Sequence, residues 1–507
     1  AAGAPSSTAD SGAASIMELG PDDSVGFHDI DMYTLGAYAD CCIAKPTDSE
    51  AGGAIMVTDS LRIHTVAIRE SVKHMVGVLR QRGMPVDDLK HFLMHQTARS
   101  AISETAKQLN EFYRKKVFDS TNTIYNVEER GNTSTTTHFV AIWDHIHNNR
   151  IQNGDNLAFV VQASGITLGT APYTFDDLPE RLREYAEHGT RQANVNVKTD
   201  RKTGEIRGRR RVRIESLGTI DDDQLALVPR NAVALACSAA ETCLQHSRYS
   251  HREIDQLIHA GVHRDEFLSE PAVAALIAGA LKLNADAGAL DKDKTFAYDI
   301  INGAVGFLNA CCNGVAMINA GKVENVMVVT AEIENNRDIP NQPVLDLLET
   351  GSAAVLDAGD DGSTEGFRAL RFYYFTEHVD KYYSFIGQKD GVSFLDISRD
   401  GKLNDFYRQS IVAAVARFLE QQEVKPDEIR AVFPPQVSSD FVQQLAAELP
   451  VDDQRVVALA NGKDYFTGST VYGMQRARQE GRVESGDLGL IVNVGTGIQV
   501  GCALYEF

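Results

Sequence analysis

NRIQNGDNLAFVVQASGITLG at residues 149–169 and GRVESGDLGLIVNVGTGIQVG at residues 481–501 are one segment written twice, and their pairing decides the fold. Upstream of each the match continues. DDLKHFLMHQ at 87–96 answers to DEIRAVFPPQ at 427–436, and DSGAASIMELG at 10–20 answers to TGSAAVLDAGD at 350–360. Ordered self-similarity of this kind marks a duplicated structural unit. Every matched block of the first segment finds its counterpart in the last third of the second, and nothing in it matches residues 206–345. The first segment therefore reads as half of a unit of which 206–507 is a whole copy.

The pattern inside these blocks sets the class. TVAIRESVKHMVGVLRQRG at 65–83 carries helical periodicity, and NLAFVVQA reads as a short strand. ENVMVVTAEI, GSAAVLDAG and LGLIVNVG are continuous apolar runs, as expected of strands covered by helices on both faces. The class is α/β with layered helices and sheets. Residues 1–175 form the first segment and 206–507 the second, joined by a polar linker with one short helix at 176–205.

With 507 residues the chain has room for more than one domain and for large buried cores. A net charge of −21 argues against a general nucleic-acid binder and means that an acidic carrier protein must dock on a local basic patch. No apolar run approaches the roughly 18 residues that span a bilayer. The Ala/Ser/Gly-rich N-terminus lacks the order of a signal peptide. Seven cysteines, an odd count without CxxC spacing, fit neither a disulfide framework nor a zinc site, and no other metal-ligand spacing is visible. A reducing cytoplasm is the expected compartment.

The two copies differ where chemistry is concentrated. LMHQTARSAI holds His95 and ERGNTSTTTHF holds Asn132, whereas the second copy has Pro435 and Asp464 at these positions. Asn132 lies as far ahead of Gly154-Asp155 as Asp464 lies ahead of Gly486-Asp487, which fixes the register.

These motifs resemble the ketoacyl synthase III branch of the thiolase superfamily. That family shows D-x-x-x-A-C-x-G-F, G-D-G-A, P-H-Q-A-N, G-N-T-S and a final G-G-G-F-x-x-G in this order. Residues 206–507 cover the whole pattern and 10–175 only its C-terminal half, from the G-D-G-A block onward. The resemblance implies a five-layered αβαβα sandwich, complete in the second unit and half-present in the first. The family's nucleophilic cysteine falls in YDIINGAVGF, where Ala304 stands. Ala304, Pro435 and Asp464 thus replace the whole catalytic set, and the second unit reads as a pseudoenzyme.

By the same resemblance His95 and Asn132 are hydrogen-bond donors to the enolate formed when a malonyl-type thioester loses carbon dioxide, a task suited to preorganised donors. Backbone N–H groups at Ser164 and Gly165 would line the acyl oxyanion hole. Cys41 and Cys42 lie on the wrong side of the motif to be the nucleophile and read as core or pocket residues. Cys311 and Cys312 read as helix packing. The nucleophile is then expected upstream of Ala1, on a separate subunit or on a fragment cut from a longer precursor.

Family enzymes dimerise, and the tandem makes the second unit an internal partner of the first. HRDEFLSEPAVAALIAG at 263–279 resembles the R-D-x-x-E-P pattern of head-to-head acyl-condensing thiolases, in which a glutamate of the partner monomer serves as base. Glu270 is the matching candidate, and a helix-start carboxylate is its structural alternative. The basic run Arg207, Arg209, Arg210, Arg211 and Arg213 either binds a phosphopantetheine-bearing acyl carrier protein or coenzyme A phosphates, or is a solvated strand. The resemblance implies no bound cofactor, with acyl-CoA or an acyl carrier protein as substrate. It also implies a cysteine-bearing N-terminal half as partner, in fatty acid or polyketide biosynthesis. An ester- or amide-forming acyltransferase and a non-catalytic scaffold subunit are the other readings.

Overall fold

The computed structural model describes residues 10–18, 22–47, 53–188, 211–284, 294–360 and 362–507. The chain divides into two bodies, residues 1–34 with 58–205, and residues 35–57 with 206–507. The 35–57 segment therefore belongs to the second body although its sequence lies within the first repeat.

The first body contains strands β1 (Gly26–Phe27) and β2 (Asp31–Thr34). The chain then leaves through an arm of two strands, β3 (Cys42–Pro46) and β4 (Ala54–Thr58). It returns as helix α1 (Ser60–Gln81), strand β5 (His91–Met94), α2 (Arg99–Tyr113), α3 (Val127–Arg130), α4 (Thr137–His147), β6 (Asn156–Ala163), β7 (Thr167–Thr174) and α5 (Leu178–His188). Asp59 caps α1 by accepting the Arg62 N–H at 3.1 Å. The sheet runs β1-β7-β6-β5, with β2 extending β1's place along β7, and only β5 and β6 are parallel. On one face α1 and α2 bury Met75, Leu79, Ile102 and Leu109 against Phe92, Met94 and Val160. On the other, α4 and Leu182 of α5 close over Leu93, Leu157 and Phe159. Period-two alternation, Leu93 to one side and Phe92 and Met94 to the other, is why the strand is apolar throughout. Arg183 of α5 donates to the Ile146 and Ile151 carbonyls, so the helix foreseen in the linker is docked on the first body.

The second body opens with β8 (Val212–Thr219), α6 (Asp222–Leu225), α7 (Ala232–Gln245), β9 (Gln256–His259), α8 (Val273–Ala280), β10 (Phe296–Asp299), α9 (Gly306–Asn319), β11 (Asn325–Glu332) and β12 (Thr350–Ala358). Its second part comprises β13 (Gly366–Tyr374), β14 (Tyr382–Lys389), β15 (Val392–Arg399), α10 (Leu403–Gln421), β16 (Ile429–Phe433), α11 (Ser439–Glu448), α12 (Ser469–Gln479), β17 (Leu488–Gly495) and β18 (Gln499–Glu506). One sheet runs β10-β9-β11-β12-β8 and the other β13-β18-β17-β16.

Three cores separate the layers. Phe307 and Leu308 of α9 and Val471 and Met474 of α12 fill the space between the sheets with Val328, Ile491 and Ala503. The outer face of the first sheet takes α7 and α8 on Met327, Val329 and Val355. The outer face of the second takes α10 and α11 on Leu490, Val492 and Leu504. Adjacent strand residues point into different cores, which explains the continuous apolar runs. These are the five layers αβαβα that the motifs imply.

Strand for strand, the first body reproduces the second part of the second. Thr34 faces Thr167 on β7 as Tyr374 faces Gln499 on β18. Gly154 and Gly486 both take positive φ (80° and 89°) in the turn before β6 and β17. One expected match fails. Residues 10–18 form no strand and are exposed, whereas Thr350–Ala358 is a buried strand between β11 and β8.

Candidate active site

A buried glutamine builds the site in both copies. Gln96, at the end of β5, donates its side-chain amide to the Met94 and Ile124 carbonyls at 2.8 and 3.1 Å. Its Oε1 accepts the Asn126 N–H at 3.0 Å, and its own N–H reaches Thr137 Oγ1 at 3.1 Å. Gln436 repeats every bond: its amide donates to Pro434 and Val457, its oxygen accepts the Leu459 N–H, and its N–H reaches Ser469 Oγ. This clamp ties the end of the strand to the loop that follows and to the first residue of α4 or α12. The preceding residue, His95 or Pro435, is thereby held in place in both copies. The shared MHQ and PPQ endings carried this signal without revealing its meaning. Replacing Gln96 by leucine strands three buried backbone groups. It should destabilise the first body by about 2 kcal/mol, read as a lowered unfolding midpoint in urea, with Gln436→Leu doing the same in the second.

His95 is anchored through its N–H to the Val160 carbonyl at 3.1 Å. Its ring stacks beside His138 of α4, centroids 6.0 Å apart. Burial, reinforced by His138, pushes the His95 pKa down to about 4. Burial likewise lowers His138 to about 4, against the Val160 carbonyl that its Nε2 approaches at 3.3 Å. At neutral pH both rings are uncharged, so His95 can offer an N–H without carrying charge.

Asn132 sits in the turn between α3 and α4, its Oδ1 accepting the Ser134 N–H at 2.9 Å, with Ser134 at φ 51°. Asp464 makes the same turn, accepting the Phe466 N–H at 2.8 Å, with Phe466 at φ 44°. Because the turn uses the side-chain oxygen, the asparagine can direct its NH2 group to a ligand. Ser164 and Gly165 form the turn between β6 and β7, where Gly165 takes φ 111°, a conformation that favours glycine.

In the second body, Ala304, Pro435 and Asp464 line one cavity of about 50 Å3 together with Tyr382, Arg399 and Tyr407. Residues far apart in sequence thus meet at one cavity, Ala304 just ahead of α9, Pro435 after β16 and Asp464 in the turn described above. No thiol lines this cavity. Cys311 and Cys502 are buried, and burial pushes their thiols well up. Cys237 and Cys243 rise to about 12 for the same reason. Cys41 and Cys42 are buried in the second body, as core residues.

Sequence reading missed two carboxylates here. Glu332, at the end of β11, accepts the His263 N–H at 2.9 Å and the Thr467 hydroxyl at 2.5 Å, bracing the turn that holds Asp464. Asp299 accepts the Val273 and Ala274 N–H groups at 2.9 and 2.8 Å and pairs with Arg264 at 3.2 Å. The carboxylate at the start of α8 is therefore Asp299, not Glu270. Glu270 instead bridges to the arm, its carbonyl accepting the Ala44 N–H at 2.9 Å. Neither carboxylate lies in a recognisable motif, and only the folded topology brings them to these ends.

Of the basic run, Arg207, Arg209 and Arg210 lie outside the described residues. Arg211 is taken by Glu506 and the Thr364 carbonyl, and Arg213 by Asp357 at 3.0 Å and Glu365 at 3.3 Å. These two arginines are engaged in ion pairs within the fold, so a phosphate would have to displace a carboxylate. Among the described residues no cluster of metal-ligating side chains occurs, and no helix is long and apolar enough to cross a membrane.

Residues 79–175 and again 419–507 match the family described as 3-oxoacyl-(acyl-carrier-protein) synthase III, C terminal. Over 312 residues the chain is 23% identical to beta-ketoacyl-(acyl-carrier-protein) synthase III of Helicobacter pylori strain G27, covering 58% of this chain and 89% of that protein. It is 24% identical to the Aquifex aeolicus VF5 enzyme of the same name over 275 residues, covering 54% and 83%. Among solved structures, the Aquifex aeolicus synthase III aligns with a TM-score of 0.46 at 20% identity, covering 58% of this chain and 100% of that one. Xanthomonas campestris OleA, solved with lauric acid and lauroyl-CoA, aligns with a TM-score of 0.49 at 17% identity, covering 59% and 99%.

Proposed function

We propose, because the chain is a ketoacyl synthase III-like member of the thiolase superfamily with the C-terminal family match present twice, that it supplies the working donors of a condensing enzyme through its first body. The second body is then a catalytically silent partner. The observation that carries this reading is the pair of identical glutamine clamps, one presenting His95 and the other Pro435. A scaffold preserved in both copies, with the histidine and asparagine in only one, is what a working and a silent unit require.

The nucleophile must come from a cysteine-bearing half outside the described residues. Helix α4 supports this. Phe139 is 46% exposed, whereas its counterpart Val471 on α12 is wholly buried in the central layer. Trp143, one turn on, is 45% exposed. An apolar helix face whose duplicate is covered by another half-unit calls for the same cover.

In the reaction, a cysteine thiolate of that half attacks an acyl thioester and releases the carrier thiol, leaving an acyl-cysteine. A malonyl-type thioester then loses carbon dioxide, and His95 and Asn132 donate hydrogen bonds to its enolate oxygen. The enolate carbon attacks the acyl-cysteine carbonyl, whose oxygen is held by N–H groups at the Ser164–Gly165 turn. Collapse expels the cysteine thiolate and leaves a β-ketoacyl thioester. The carrier is coenzyme A or an acyl carrier protein.

Native and denaturing mass spectrometry after incubation with an acyl thioester tests this. The expected result is a second polypeptide acylated on cysteine, with carbon dioxide released when a malonyl thioester is added. An assembly containing this chain alone, unacylated, would leave only the scaffold reading.

A further inference from the structure

In the repeat, the arm at 35–57 answers to residues 375–397, since Thr34 and Tyr374 hold equivalent places beside β7 and β18. The first arm is docked on the front part of the second body. Gly36 packs so closely on Gly279, just inside the end of α8, that a Cβ on Gly36 would lie 2.5 Å from the Gly279 nitrogen. Beyond it the Ala44 N–H reaches the Glu270 carbonyl at 2.9 Å, the Ser269 N–H reaches the Ala44 carbonyl at 3.0 Å, and Lys45 pairs with Glu266. A short β-like contact thus joins arm and body just ahead of a helix of small residues, VAALIAGA.

The second arm has the matching features and no such cover. β14 and β15 form a hairpin closed by Asp390 and Gly391, both at positive φ (54° and 78°), with Lys389 opposite Val392. In a two-residue hairpin the closing pair is hydrogen-bonded and the bonded pairs alternate from there. Ser384 and Ile386 therefore direct their N–H and C=O groups away from β15. Ser384 lies ten residues after Tyr374, as Ala44 lies ten after Thr34, so the outward-facing backbone is at the equivalent position. Among the described residues β14 and β15 form a sheet of two strands only, so this edge is open. On one face of the hairpin Tyr383, Phe385 and Val392 are 54%, 53% and 47% exposed, with the two rings stacked 6.5 Å apart. An open edge beside an exposed aromatic pair is a combination that folded proteins cover or blunt.

We propose that the β14–β15 hairpin docks on the half-unit that completes the first body, at that half's counterpart of residues 264–281, with backbone pairing through Ser384. This rests on the reading that a cysteine-bearing half exists. The partner surface it names is an extended segment followed by a helix rich in small residues, as seen under the first arm. Thr376 stands where Gly36 does, so the glycine-on-glycine approach is not repeated, and the hairpin edge and its aromatic face carry the contact instead.

The test uses the purified assembly of full-length chains, with affinity from native mass spectrometry on dilution and amide exchange across residues 382–399. Tyr383→Glu with Phe385→Glu should weaken association by roughly 30-fold or more. Ser384→Pro, which removes an N–H that β15 does not use, should weaken it as well. Leu227→Glu, at an 86% exposed site outside residues 382–399, should not. The Ser384 and Ile386 amides should be protected in the assembly and free in the isolated chain. If a cysteine-bearing partner is bound but these variants leave affinity unchanged and the hairpin amides exchange freely, the docking proposal fails and the partner reading stands. Hairpin protection in an assembly of two copies of this chain alone would also overturn it. If the wild-type assembly contains no cysteine-bearing half, the two fall together.

Discussion

Replacing His95 by alanine is expected to lower condensation by the complete assembly roughly 100- to 1000-fold, the usual effect of removing one preorganised donor to an oxyanion. Acylation of the partner cysteine should survive, because in the proposed reaction that step draws on the backbone turn at Ser164 and Gly165 instead. The separation of the two steps is what identifies a donor to the enolate, since a merely misfolded first body would lose both. The pH dependence adds a second readout. Burial and the neighbouring His138 hold His95 at about 4, far below the ordinary imidazole value. Its protonation therefore contributes no inflection to kcat between pH 5 and 8, and a decline from this residue sets in only toward pH 4. Rates of carbon dioxide release at saturating substrate would check this. A break near pH 6.5 in the wild-type enzyme that vanishes in His95→Ala would show that the ring titrates normally and is not the buried neutral donor described above.

The layers were legible because buried strands write their burial twice over. In ENVMVVTAEI alternate residues serve two cores, so the run is apolar throughout, and the duplicated G-D turn fixed the register of both copies. What the chain did not disclose is how the arm is shared. Gly36 and Gly279 look like any other glycines, yet their approach is why residues 35–57 belong to the second body. The segment at 10–18 misled in another way: its residues resemble those of the buried strand Thr350–Ala358, yet they form no strand and are exposed. Of the site, the residue types at 95 and 132 were readable from motif order. The clamp through Gln96 was not, since a glutamine after a histidine carries no sign that it reaches Ile124 and Asn126. Glu332 and Asp299 were likewise invisible, because their roles depend on which strand ends converge.

Asp464→Asn is expected to stabilise the second body by up to about 4 kcal/mol at pH 8. Burial raises this carboxyl from 3.8 to about 7, outweighing the Phe466 N–H and Arg399, both of which favour its charged form. The sign follows from proton counting. Between pH 3.8 and 7 the folded chain keeps a proton that the unfolded chain gives up, so stability falls as pH rises through this window and the full loss is reached above 7. Asparagine does not ionise and escapes the loss, while its side-chain oxygen can still accept the Phe466 N–H, as Asn132 accepts that of Ser134 in the first body. The gain should shrink to under about 2 kcal/mol at pH 5 and disappear near pH 3.8. Denaturant unfolding of wild type and variant at these three pH values gives the comparison. A gain independent of pH, or a net destabilisation at pH 8, would mean that the carboxylate is charged and solvated in the folded protein. If the predicted trend holds, the Asp464 carboxyl is about half protonated at pH 7 and neutral below it. In its protonated form the hydroxyl is a hydrogen-bond donor where the first body has the Asn132 amide, so this position keeps a donor although Pro435 and Ala304 stand beside it.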